Sequence, residues 1–253
     1  MSVVTRERRF HNEKSTQFRL LRRAISRSIG EFRRDREILD YVDLNDKRVL
    51  DYGCGAGENE GMRLLTEDLR ALGASEVVGI DISDVEIERA RARVASKGLS
   101  NVRFVVGDAH DTGLADESFD IIIGGGILHH LDLERALREI ARVLSPGGRA
   151  VFVEPLCHNP ILRLGRRLTP QARTPDEHPI KESDWALCSS LFPHFRHSER
   201  ELVSIFFMPL NFLLPTPLQK RLAAVVGKID DRVIGRAPRL GKYSRITFLV
   251  LEK

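Results

Sequence analysis

Cysteine is scarce: Cys54, Cys157 and Cys188 are the only three in 253 residues. Their odd number, wide separation and lack of CxxC spacing exclude a disulfide framework and a cysteine zinc site, and make a reducing cytoplasm the expected compartment. Aromatics make up 6% of the chain, with no visible module on which nucleic-acid bases would stack. No apolar run approaches the roughly 20 residues of a membrane span; the nearest, IFFMPLNFLLP (205–215), is short and interrupted by Pro209 and Asn211. MSVVTRERRF has no apolar signal core, and Glu7 and Glu13 speak against a mitochondrial transit peptide. Internal repeats and low-complexity segments are absent too.

What is present is an ordinary globular composition, 42% hydrophobic and 30% charged, long enough for a full core. The net charge of +4 hides an asymmetry: residues 1–40 carry +5, 41–157 carry −8 and 158–253 carry +7. An acidic centre with basic flanks fits a central functional unit whose flanks face something anionic, or simply solvent.

The centre alternates strands with helices. RVLD (48–51), EVVGID (76–81), VRFVVG (102–107), FDIIIG (119–124) and RAVFVE (149–154) run apolar throughout, as doubly covered parallel strands do. The stretch from Asp84 predicts a helix stopped by Gly98, and that from Leu133 a helix ended by SPGG. ELVSIFF (201–207) and SRITFLVLEK (244–253) read as two further strands. The expected architecture is an α/β, Rossmann-like, seven-stranded sheet with helices on both faces. Residues 1–40 form a basic helical segment or lid, with a stripe of Phe18, Leu21, Ile25, Ile29 and Phe32 among arginines; residues 41–253 form the main domain, with substrate-side insertions at about 156–195 and 208–243.

LDYGCGAGENE (50–60) follows the first strand and places Gly53, Gly55 and Gly57 where an open α/β sheet binds ligands. A dinucleotide turn would need a small residue where Glu58 stands. Glu58 and Glu60, with Asp51, disfavour a phosphate and predict a ligand bearing positive charge, which counts against a nicotinamide-dependent oxidoreductase. Asp81, ending the second strand, is placed to accept from ribose hydroxyls; Ile82 covers an adenine face; Asp108 accepts from an adenine amine, beside Ala109; and Gly124 opens another close-approach turn. An adenosine with a cationic amino-acid tail, S-adenosylmethionine, satisfies these requirements.

At these residues the sequence resembles the class I S-adenosylmethionine-dependent methyltransferases, strongly over about 48–155. VLDYGCGAG, Asp81, the Asp of GDA (Asp108) and FDIIIGGGILHHLD through REIARVLSPGG carry the resemblance. It implies that Asp51 and Gly53 hold the methionine end, Asp81 the ribose, Ile82 and Ala109 the adenine faces and edge, and Asp108 the adenine amine. It also implies a mostly parallel sheet whose last strand is antiparallel. The LHHLD form resembles the small-molecule subgroup, and GGGI stands where base-modifying enzymes carry an Asn/Asp-Pro-Pro-Tyr/Phe motif.

His129 and His130, just past the fourth strand, are the candidate general bases, or else shape the loop. His158, Asp176, Glu177 and His178 are candidate acceptor-pocket residues; DEH at 176–178 predicts no metal site, because adjacent residues do not easily share a coordination sphere. SIFFMPLNFLLPTPL beside basic flanks predicts a small hydrophobic or lipid-linked acceptor and a peripheral membrane contact. The alternatives are an RNA methyltransferase, supported by a pI near 9.1, and a non-catalytic S-adenosylmethionine-binding protein.

Overall fold

Six apolar segments and one polar edge segment assemble into one sheet in a computed structural model, which describes residues 4–12, 37–56, 66–168, 174, 176–207 and 214–253. The strands are β1 (Arg48–Tyr52), β2 (Glu76–Asp81), β3 (Val102–Val106), β4 (Phe119–Gly125), β5 (Leu144–Pro155), β6 (His194–Arg200) and β7 (Ile246–Glu252), in the order β3-β2-β1-β4-β5-β7-β6. β7 pairs antiparallel with both β5 and β6, and the other pairings are parallel. The strand order reverses between β1 and β4, which places the crevice of the sheet at the carboxyl ends of those strands.

Alternate strand residues feed two cores. Val49, Val77, Phe104, Ile123, Val151 and Phe248 face one side, under α2 (Thr66–Ala71) and α3 (Asp84–Lys97). Leu50, Val78, Ile80, Ile122, Phe152 and Leu249 face the other, under α4 (Leu133–Val143) and α6 (Glu182–Leu191). Burial on both faces is why these strands read as continuous apolar runs. Ser83 caps the start of α3 by accepting from the Glu86 amide, and Gly98 ends it at φ +65°; Asp132 caps α4 by accepting from the Arg135 amide.

One strand is not where the sequence placed it. ELVSIFF forms bends and a 3-10 turn, while the sixth strand is His194–Arg200, HFRHSER, which pairs with β7 along its whole length. Its polarity follows from its place at the sheet edge, where only one face packs and apolar content is low. The first insertion therefore ends at the start of β6 and contains α5 (Pro160–Leu168) and α6. In the second, α7 (Thr216–Arg236) precedes a 3-10 segment at Pro238–Tyr243. Residues 4–12 form a further helix, α1. The apolar stripe expected at 18–32 and the centre of the apolar run at 208–213 lie outside the described residues.

Candidate active site

The turn after β1 is fastened to the end of β2. Gly53 and Cys54 donate their amides to Ile80 O at 2.9 and 3.0 Å. Gly55 donates to Asp81 Oδ2 at 2.8 Å, and Asp81 Oδ1 accepts from the Ser83 amide at 2.9 Å. Asp81 thus holds the glycine turn as well as facing the crevice, and each of its oxygens retains a second lone pair. Asp51 is buried and accepts from the Thr66 hydroxyl at 2.7 Å, which ties β1 to α2.

The three described candidate glycines are small for different reasons. A β-carbon on Gly53, at φ +76°, would lie 2.7 Å from Ile127 Cγ1, and one on Gly124 would lie 2.6 Å from the Phe152 ring. Both positions make room for protein side chains, where the sequence alone pointed to a ligand. A β-carbon on Gly55, at φ +52°, would meet nothing within 4 Å among the described residues, a space that suits a bound molecule. Gly57, Glu58 and Glu60 lie outside the described residues.

Asp108 follows β3. Its Oδ1 accepts from the His110 amide at 2.9 Å and lies 2.8 Å from His110 Nδ1; His110 Nε2 in turn accepts from the Asp132 amide at 2.9 Å. Because Nε2 accepts, Nδ1 carries the ring proton and donates to Asp108, linking the loops after β3 and β4. Ala109 O accepts from the hydroxyl of Tyr52, whose burial pushes its ionisation well up. Ile82 O accepts from Arg8 of α1 at 3.1 Å.

His129 is set by a residue that sequence reasoning missed. Glu154, fully buried near the end of β5, accepts from the amides of Ile127 and Leu128 at 2.9 and 2.8 Å with one oxygen, and faces His129 Nδ1 at 2.7 Å with the other. A carboxylate has no proton to give, so Nδ1 donates and Nε2 keeps the lone pair. The available signal was an acidic residue inside an apolar strand: a buried charge of that kind has to have partners. His130 is buried beside it, ring centroids 4.1 Å apart. Burial first, and the neighbouring His129 ring second, lower the His130 pKa against the opposing pull of Glu7 and so favour the neutral ring.

The first insertion reaches the same place. His178 donates its amide to His129 O at 2.7 Å, although its side chain is exposed. Glu177 Oε1 lies 4.0 Å from His130 Nδ1. Asp176 accepts from Arg6 Nε and Nη2 at 3.0 and 3.1 Å, which draws α1 onto the insertion. His158 is half-buried, downstream of the point where Leu156 bridges Ile180. Of the six candidate residues on the catalytic and acceptor side, His129, His130 and Glu177 come together.

A glycine turn after β1, acidic residues at the ends of β2 and β3, and a sheet of this order define a Rossmann-like fold with its crevice at the carboxyl ends of the central strands. Residues 50–152 match the family model described as a methyltransferase domain. The chain is 38% identical over 114 residues to an uncharacterized methyltransferase, YcgJ, of Bacillus subtilis, covering 43% of this chain and 41% of the relative. It is 32% identical over 159 residues to the demethylmenaquinone methyltransferase of Lactococcus lactis, covering 61% of each. The aligned part therefore spans about half the length of these curated relatives. The crystal structure of the Bacillus YcgJ protein superposes with a TM-score of 0.56 at 24% identity, over 85% of this chain and 94% of that one, a likeness of fold.

The residues present fit S-adenosylmethionine: open space at Gly55, and acidic side chains of Asp81 and Asp108 on one rim of the crevice. Among the described residues, no helix is long and apolar enough to cross a membrane.

Proposed function

We propose that the protein transfers a methyl group from S-adenosylmethionine to a small hydrophobic or lipid-linked acceptor, with His129 as general base. The observation that carries this reading is the Glu154–His129 pair at the carboxyl ends of β4 and β5, where the crevice of the sheet lies. When bound, S-adenosylmethionine supplies a methyl group on a sulfonium centre. Asp51 and the Gly53–Gly55 backbone hold its amino-acid end, Asp81 its ribose, Ile82 and Ala109 its base, and Asp108 the adenine amine.

His129 takes the acceptor's proton at Nε2, while Glu154 fixes the ring and stabilises the cation that forms. Holding two reactants in line supplies much of the acceleration in such a displacement, and a closed mouth keeps water from competing. The N-terminal segment acts as the lid: α1 already lies against Ile82, Ser83 and Asp176, with Arg8 donating to Ile82 O, Arg6 donating to Asp176, and Asn12 accepting from the Ser83 hydroxyl. His158, Glu177 and His178 line the acceptor side.

The hydrophobic character of the acceptor is supported by the name of the Lactococcus relative, which acts on demethylmenaquinone, and by Ile161, Leu164 and Leu168 of α5, which stand exposed among Arg163, Arg166 and Arg167. Such a helix also suits peripheral contact with an anionic lipid surface.

The test incubates the protein with methyl-labelled S-adenosylmethionine and a bacterial extract split into organic and aqueous fractions. Label in the organic phase that disappears in His129→Ala supports the reading. Label confined to the aqueous phase overturns the hydrophobic acceptor, and nuclease or protease treatment then separates RNA and protein from small polar products.

A further inference from the structure

Glu7 and His11 lie one helical turn apart on the same face of α1, so both side chains reach the same spot on the core. That spot is His130, with Glu177 behind it. Glu7 Oε2 is 3.6 Å from His11 Nε2 and 3.5 Å from His130 Nδ1, and His130 Nδ1 is 4.0 Å from Glu177 Oε1. One ligand atom each of Glu7, His11 and His130 lies within 4.8 Å of the other two, and the same holds for His129, His130 and Glu177.

These separations are too long for hydrogen bonds, which run at about 2.7–3.2 Å. The two Glu7 separations are close to the edge of a tetrahedron around zinc: bonds of about 2.0–2.1 Å place neighbouring ligand atoms roughly 3.3–3.4 Å apart. Burial sharpens the contrast. Glu7 is 6% and His130 7% exposed, and both Glu7 oxygens and His130 Nδ1 are buried without a hydrogen-bond partner among the described residues. A carboxylate taken out of water needs a counter-charge, and the two nearest rings are imidazoles that can offer lone pairs.

We propose that Glu7, His11 and His130 form a binding site for one divalent transition-metal ion of the zinc type, shared between the N-terminal helix and the core. Two imidazoles and one carboxylate are a ligand set that zinc accepts, with a fourth position left open. The ion fastens α1 across the crevice mouth, at the side opposite the bonds that Asn12 makes to Ser83 and Asp84. Metal binding here is independent of whether the chain transfers methyl groups.

The experiment uses the full chain after chelator treatment, titrated with Zn(II) by calorimetry and with Co(II) by visible absorption. One equivalent binds, Co(II) gives the intense absorption of a tetrahedral site, and Zn(II) slows tryptic cleavage at Arg6, Arg8 and Arg9. Glu7→Gln and His130→Asn weaken binding by more than the about 10–100-fold typical of losing an outer-shell partner, while His194→Asn, on the exposed edge strand, leaves it unchanged. Should the buried positions prevent folding, His11→Asn removes a ligand from the partly exposed side of the cluster and is expected to weaken binding equally. Failure of the wild-type chain to bind one equivalent, or equal binding by wild type and His11→Asn, overturns the proposal.

Discussion

Replacing Gly53 and Gly55 by alanine separates what the turn owes to the fold from what it owes to a ligand. Both residues have positive φ, +76° and +52°, so any side chain carries a backbone penalty of order 1–3 kcal/mol at either place. Gly53 has a second cost. Its new β-carbon would meet Ile127 Cγ1 at 2.7 Å and Ile127 Cβ at 2.9 Å, and no rotation about χ1 moves a β-carbon. Overpacking of this kind adds about 1–3 kcal/mol. At Gly55 nothing among the described residues lies within 4 Å of a β-carbon, so no such addition is expected. Urea unfolding without ligand should therefore rank Gly53→Ala below Gly55→Ala by about 1–3 kcal/mol. In a double-mutant cycle, Ile127→Gly should recover that difference, while Ile127→Ala, which keeps the β-carbon, recovers only part of it. Calorimetric titration with S-adenosylmethionine should then show the reverse order of specificity: Gly55→Ala loses at least about tenfold in affinity, some 1.4 kcal/mol, despite its milder effect on the fold. Equal stabilities for the two variants would refute the packing argument. Unchanged affinity in Gly55→Ala would refute the placement of the ligand.

Further outcomes follow from the same geometry. Glu154→Gln removes the acceptor that orients His129, and should lower kcat by about 10²–10⁴ in the methyl-transfer assay with little change in S-adenosylmethionine affinity; it should also destabilise the fold by about 1–3 kcal/mol, because an amide group then faces backbone donors. Asp81→Ala should abolish measurable S-adenosylmethionine binding and, because Asp81 also accepts from Gly55 and Ser83, cost about 1.5–3 kcal/mol on unfolding. Phe152→Ala, at a fully buried ring packed beside Gly124, should cost about 3–5 kcal/mol by thermal unfolding. Burial pushes the Cys188 thiol up to about 12, so at pH 8 its thiolate fraction falls from roughly a quarter to about one in ten thousand. Mass spectrometry after brief native alkylation should find Cys157, the half-buried thiol, modified ahead of Cys54 and Cys188.

The central strands and their helices were legible because burial on both faces writes itself into the chain as unbroken apolar runs between capping residues. The edge strand was not: HFRHSER has the composition of a loop, and only hydrogen bonding to β7 makes it a strand. The glycine turn was legible as a close approach, but what approaches was not. At Gly53 and Gly124 it is Ile127 and Phe152, residues 74 and 28 positions away in the chain.

By itself the sequence determined the class of fold, the strand ends at which Asp81 and Asp108 stand, and the pair of histidines after the fourth strand, because each depends on local pattern: period, cap and turn. Tertiary structure alone decided which histidine is held by a buried carboxylate, and that Glu7 and His11 meet His130 and Glu177. Those groups come from α1, β5, the loop after β4 and the first insertion, and no spacing along the chain records a distance that is set only when the sheet folds and the helix closes over it.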